Sequence, residues 1–254
     1  MFAGVLQKLE GVGRYFVFLG ELVRSAFRRP VRINQYVAEI EHLGINSVMI
    51  IMLSGGAIGM IFALQMVAFL QPFQAEIGTG AAVAMSMGRE LAPLITTLML
   101  IAKNGSAMAA ELGTMRVTEQ VDALESMSVN VVQYLVLPKV VASLLVFPLL
   151  TLMANVVGTL GSYFISIYLY AIDSASYLDY MFSFLSPRDV IVGVIKAAVM
   201  GFITATICCF YGLSTTQGAK GVGDSATNAV VASSVSILVA DYIMATMLMG
   251  FVYA

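Results

Sequence analysis

Apolar and polar positions along this chain come in long blocks rather than in strand-like alternation. Over residues 2–27 the apolar side chains Val5, Leu9, Val12, Phe16, Leu19, Val23 and Phe27 recur every three or four positions, with Lys8, Arg14, Glu21, Arg24 and Arg28 placed elsewhere. This spacing makes one apolar stripe on a helix, which predicts an interfacial amphipathic helix over residues 1–30 lying along a membrane surface. The alternative is a surface helix packed on the rest of the protein. Arg24, Arg28, Arg29 and Arg32 suit anionic headgroups, and Pro30 ends the segment.

Two windows, 43–75 and 140–172, hold no charged residue over 33 positions each. A bilayer-spanning helix needs only about 20 apolar residues, so both windows exceed that length. The blocks predict five transmembrane helices, over 45–70, 87–108, 140–163, 190–213 and 226–251. Gly55 and Gly59 in the first form a small-xxx-small pair that permits close helix contact. Between the second and third spans, residues 111–139 carry Glu111, Arg116, Glu119, Asp122, Glu125 and Lys139 and are expected to fold outside the bilayer. Within them Thr118 is the expected N-cap of a short helix, with Glu119 and Asp122 in its first turn and Val121 and Leu124 as an apolar patch. Residues 174–188 read as a polar connection, and Gly218, Gly221 and Gly223 as a turn.

Composition supports the membrane assignment: 59% of residues are hydrophobic, 11% are charged, and the mean hydropathy is +0.91. An ordinary soluble globule is excluded. The fold class is therefore an all-α integral membrane protein. Five spans put the termini on opposite sides, and the basic residues orient them. With the N-terminus inside, Lys8, Arg14, Arg24, Arg28, Arg29, Arg32, Lys103, Arg116, Lys139 and Lys220 lie on the cytoplasmic side, against Arg89 and Arg188 outside. This is a positive-inside bias, expected to leave residue 254 outside.

Other classes fall away on the same residues. A net charge of −2 leaves no basic face for nucleic acid. Adjacent Cys208 and Cys209 in an apolar run fit neither a disulfide framework nor usual zinc spacing, and read as small packing residues. The N-terminal segment lacks the short apolar core and small-residue site of a cleaved signal. No lysine sits in a phosphate-loop motif, and His42, the one histidine, reads as a solvated surface residue.

The ionisable residues inside spans carry more information. Arg89 and Glu90 open the second span at its outer end. Lys196 lies roughly 12 Å below the outer surface and Asp241 roughly 23 Å above the inner one, so both fall in the outer half of a core about 30 Å thick. An isolated charge at that depth costs several kcal/mol or more, so Lys196 and Asp241 are expected to pair with each other or with Glu90, or to face a wet cavity. Such a pair either fixes helix register or lines a polar pathway, with Arg89 at its mouth as a forked donor for an anionic headgroup.

Residues 103–127, KNGSAMAAELGTMRVTEQVDALESM, together with GRELAP at 88–93, YLVLPKV at 134–140 and GAKGVGDSATNAVVASS at 218–234, resemble the MlaE/YrbE family of ABC-transporter permeases. The resemblance runs over nearly the whole chain. It implies a homodimer working with a cytoplasmic MlaF-like ATPase, a periplasmic MlaD-like MCE-domain protein and, in some systems, an MlaB-like STAS-domain protein. It further implies phospholipid movement between the bacterial inner membrane and the envelope or outer membrane, contributing to outer-membrane lipid asymmetry. No cofactor is expected in this chain, ATP and Mg belonging to the ATPase. By the same resemblance Arg89, Glu90, Lys196 and Asp241 would line a lipid cavity between protomers. Glu111, Arg116, Glu119, Asp122 and Leu124 would belong to the coupling region that meets the ATPase. No catalysis is expected within the chain. The rival reading is an ion-coupled secondary transporter of lipid or small molecules that uses Glu90, Lys196 and Asp241 as a relay.

Overall fold

The computed structural model describes residues 2–26, 32–216 and 218–252; the side chains of 2–9, 249, 251 and 252 are outside that description. Among the described residues every regular element is helical. Five stretches are long and apolar enough to cross a membrane: Ile33–Phe73, Glu76–Val117, Val132–Leu169, Pro187–Leu213 and Gly218–Leu248. The chain is an all-α integral membrane protein.

In chain order the helices are α1 (Phe2–Ala26), α2 (Ile33–Leu70), α3 (Thr79–Ser86), α4 (Ala92–Leu100), α5 (Ser106–Val117), α6 (Gln120–Ser126), α7 (Leu137–Phe164), α8 (Ser174–Phe184), α9 (Pro187–Leu213) and α10 (Gly218–Val252). Helices α3, α4 and α5 follow one another through π-turns at Met87–Leu91 and Ile101–Gly105. Another π-turn, Val132–Val136, leads into α7. Pro93 and Pro138 each follow such a turn: the N–H of Ala92 reaches back to Met87 O and that of Leu137 to Val132 O, five residues away. A proline ring donates no hydrogen bond and crowds the carbonyl four residues before it, and the wider turn makes room.

The glycine pair read from the sequence works as its spacing suggests. Helix α2 packs along α7, and a Cβ on Gly59 would fall 2.0 Å from Gly158 O, while one on Gly55 would sit 3.0 Å from Ala154 Cα. The two backbones touch, and any side chain there would force them apart. Ile51, Ala63 and Val67 of α2 and Phe147, Leu150 and Ala154 of α7 are buried in the same core.

Helix α1 packs on the body and also presents an apolar outer face. Phe18, Leu22 and Ser25 are buried, the Tyr15 hydroxyl pairs with Thr206 Oγ1 at 2.8 Å, and the Tyr15 ring meets Phe210 edge-on at 5.4 Å. Burial raises the Tyr15 pKa above its ordinary value, so the phenol stays neutral. Val12, Phe16 and Val23 are exposed. Of the predicted stripe these three thus face outward while Leu19 packs against the core, and a neighbouring face makes most of the contact. Val5, Leu9 and Lys8 lie outside the described side chains, and Phe27, Arg28, Arg29 and Pro30 outside the described residues.

Several expectations about connections are corrected. The first span, expected from residue 45, belongs to a longer helix, since α2 begins at Ile33. The segment 111–139 is not one loop: α5 continues to Val117 and helix resumes at Val132, because its charges pair across helices rather than ending them. Thr118 is not the cap of α6. Its hydroxyl bonds back to Thr114 O at 2.8 Å, closing α5, and Glu119, left-handed at φ 60°, precedes α6 instead. Residues 174–188 include α8, capped by Asp173, whose carboxylate accepts from Ser176 N at 2.8 Å. Those hydrogen bonds hold the Asp173 carboxyl below its usual range. Gly218, Gly221 and Gly223 are the opening turns of α10 rather than a turn before it.

Candidate functional site

Three spans bring ionisable residues within the bundle together. Glu90 comes from the π-turn between α3 and α4, Lys196 from α9 and Asp241 from α10. Lys196 is fully buried. Its Nζ donates to Glu90 Oε2 and lies 3.0 Å from Asp241 Oδ1. The second contact is a charge approach rather than an aligned hydrogen bond, since Oδ1 has no hydrogen-bond geometry to any described donor. The side chain of Glu90 is 40% exposed and that of Asp241 14%. One ammonium is therefore shut inside the helix packing behind two carboxylates, one of which reaches the surface. Such an edge can exchange its internal partner for a polar or charged group of a bound molecule.

Arg89, one residue away, turns elsewhere. Its Nε donates to Asp189 Oδ1 at 2.8 Å, so the guanidinium is engaged by a buried carboxylate rather than left as a bare anion trap. Sequence reasoning missed Asp189, which also completes a capping box: its Oδ2 accepts from Ser186 N at 3.0 Å, while Ser186 caps the start of α9. The Ser186-Pro187-Arg188-Asp189 spacing was the available signal. Close packing holds this corner, since a Cβ on Gly193 would lie 2.0 Å from Gly88 O. The π-turn that carries Arg89 and Glu90 is thus clamped directly against α9.

A second cluster was also missed. Lys139 in the first turn of α7 is buried and donates to Glu39 Oε1 of α2 at 2.8 Å and to Glu111 Oε2 of α5 at 2.7 Å. Of the expected coupling residues, Glu111 is therefore tied inward. Arg116 Nη1 and Asp122 Oδ1 pair at 2.5 Å across the α5–α6 turn, both well exposed. Glu119 is exposed and Leu124 half-buried, while Val121 is the buried anchor that seats α6 on the body. Asp122, Glu125 and Glu119 leave an acidic outer face.

Apolar spans converging on a buried ionic cluster define a polytopic α-helical membrane protein. A family model described as Permease MlaE matches residues 36–247, and the chain belongs to that family. It is 37% identical over 235 residues to a "Probable ABC transporter permease protein" of Rickettsia bellii, covering 92% of this chain and 91% of the relative. It is 36% identical over 229 residues to a similarly named protein of Synechocystis, covering 90% and 87%. A third relative, "Protein TRIGALACTOSYLDIACYLGLYCEROL 1, chloroplastic" of Arabidopsis thaliana, is 36% identical over 230 residues, covering 91% of this chain and 66% of its own length.

Proposed function

We propose that this permease subunit moves phospholipid between the bacterial inner membrane and the outer envelope, contributing to outer-membrane lipid asymmetry, with energy from a separate ATPase. The observation that carries the reading is the Glu90–Lys196–Asp241 cluster, a buried cation whose acidic partner Glu90 reaches the surface in the outer half of the bundle. Such an edge offers a headgroup charge-assisted contacts where acyl chains meet apolar helix faces. Family membership and relatives named as probable ABC transporter permeases support the ATPase partner, and the Arabidopsis relative, named for a glycolipid, supports a lipid substrate.

In this reading the chain is a homodimer with its N-terminus in the cytoplasm, as the basic-residue bias favours. The acidic face of α6, with Glu119, Asp122 and Glu125 around Leu124, meets the MlaF-like ATPase, and Arg116 and Glu111 brace it. An MlaD-like MCE protein exchanges lipid on the periplasmic side, and an MlaB-like STAS protein acts on the ATPase. A second reading rests on the cluster holding one more carboxylate than cation: the surplus acid would be a proton site for ion-coupled transport.

Purifying the tagged full-length chain in mild detergent, followed by mass spectrometry of lipids and co-purifying proteins, tests the proposal. Glycerophospholipid together with a nucleotide-binding chain is the expected result. Lipid movement in vesicles containing this chain alone, driven by a pH gradient, would contradict it.

A further inference from the structure

A cavity of about 860 Å³ opens between α1, the C-terminal end of α9 and the first half of α10. Its α9 wall is remote from the ionic cluster, while its α10 wall ends at Ser236, about 8 Å along the helix from Asp241. Ile207, Phe210 and Tyr211 on its α9 wall lie roughly 16–22 Å along the helix from Lys196. Its α10 wall extends from Ser225 to Ser236, roughly 16 Å of helix. The cavity is thus an elongated slot that runs from the α9–α10 turn toward the middle of the bundle, beside the helix expected to lie in the interface.

Its lining has two chemistries. Ser214, Thr216 and Ser225 bring hydroxyls around the α9–α10 turn, and α1 brings Arg14. Among the described residues lining the slot Arg14 is the only charged one; it is exposed and has no ion pair among the described residues. Val12, Phe210, Ile207 and Ala232 supply the apolar surface. A Cβ on Gly11 would meet nothing within 4 Å, so α1 leaves the slot open there.

We propose that this slot holds an anionic glycerophospholipid of the leaflet in which α1 lies, its phosphate at Arg14 and the neighbouring hydroxyls and an acyl chain along Phe210, Ile207 and Ala232. A cation without an acid, beside hydroxyls and above an apolar wall, is complementary to an anionic amphiphile. An apolar helix from another protein would cover the slot but leave the Arg14 guanidinium without a counter-charge at the membrane edge. The proposal needs only that the chain sits in a bilayer and does not depend on the transport pathway above.

The chain contains no tryptophan, so single reporters can be introduced into the full-length protein in phosphatidylcholine vesicles. Val12→Trp places one in the slot at a position 54% exposed, and Val235→Trp places one on an outward face of α10 at 58% exposed. Brominated phosphatidylglycerol and brominated phosphatidylcholine are then titrated as quenchers. At Val12→Trp the anionic lipid is expected to quench at about a fivefold lower mole fraction than the zwitterionic one. At Val235→Trp the two should be equivalent, and Arg14→Gln should abolish the preference at Val12→Trp. Equal quenching by both lipids at Val12→Trp, or a preference that survives Arg14→Gln, would overturn the proposal. So would absence of quenching there, which would mean that protein covers the slot. Native mass spectrometry of the chain without tryptophan gives an independent reading: Arg14→Gln should lose a retained anionic lipid, and unchanged retention counts against the site.

Discussion

Lys196 and Lys139 are built to the same plan in different surroundings. Each lies between two carboxylates contributed by two other helices: Glu90 and Asp241 for Lys196, Glu39 and Glu111 for Lys139. Lys139 lies near the end of its span, two turns after helix resumes at Val132. Its partners remain in reach of water, with side chains 22% and 53% exposed. Lys196 is in mid-helix, fully buried, and one of its acids is only 14% exposed. The difference teaches what each cluster is for. The Lys139 cluster ties α2, α5 and α7 together beneath the α5–α6 turn, a stapling role that water weakens. The Lys196 cluster buries its cation completely in mid-span and exposes only Glu90, at 40%, so Lys196 itself has no replacement for a lost partner, a costly arrangement for a staple and a useful one for a pathway.

The largest effect that sharpens this contrast is expected from Lys196→Met. It leaves Glu90 and Asp241, from two different spans, without their shared cation and should cost about 3–5 kcal/mol, seen as a loss of folded, monodisperse protein in detergent. Lys139→Met should cost less, about 2 kcal/mol, because Glu111 and Glu39 can turn to water. Thermal unfolding of both variants in one detergent orders them, and a Lys139→Met loss equal to or larger than that of Lys196→Met would break the comparison. Asp122→Arg should leave folding within about 0.5 kcal/mol, since its pair with Arg116 is exposed. It should nevertheless weaken association with the ATPase, read by pull-down; full retention there would remove α6 from the docking surface. The smallest effect is expected at Ser128, held at φ 60° beyond the end of α6. Glycine adopts that conformation without strain at some entropic cost, so Ser128→Gly should stabilise by about 0.5 kcal/mol in the same unfolding measurement.

The contrast also marks what the sequence made legible. Lys196, Asp241 and Glu90 were readable because apolar blocks fix depth, and charges at one depth in a bundle must find one another. The Gly55/Gly59 contact with α7 was readable for a similar reason, since spacing alone defines the face. Lys139, Glu39 and Glu111 were not, because charges near span ends look like the start of a loop when hydropathy is read one segment at a time. Their partners are 100 and 28 positions from Lys139, and only the packing of α2, α5 and α7 joins them. Asp189 was hidden in the same way: its capping role is local and readable, whereas its pairing with Arg89 depends on the Gly88–Gly193 approach. The π-turns leave no periodic signature, though a proline soon after two of them is a trace. Helix α8 opens on serines, and its buried Tyr177 contributes a face that a short polar segment does not announce.

The most direct test of a pathway role is a double-mutant cycle on Lys196 and Asp241, scored separately for folded yield and for lipid transport in the assembled transporter. Lys196→Met should lower both, since it leaves Glu90 and Asp241 without their cation, whereas Asp241→Leu leaves the Lys196–Glu90 pair balanced and should lower transport more than folded yield. The expected result for Lys196→Met/Asp241→Leu is recovery of folded yield without recovery of transport, Glu90 having lost the buried cation it presents against. Recovery of transport together with yield would contradict the pathway role and leave the cluster as a device that fixes helix register.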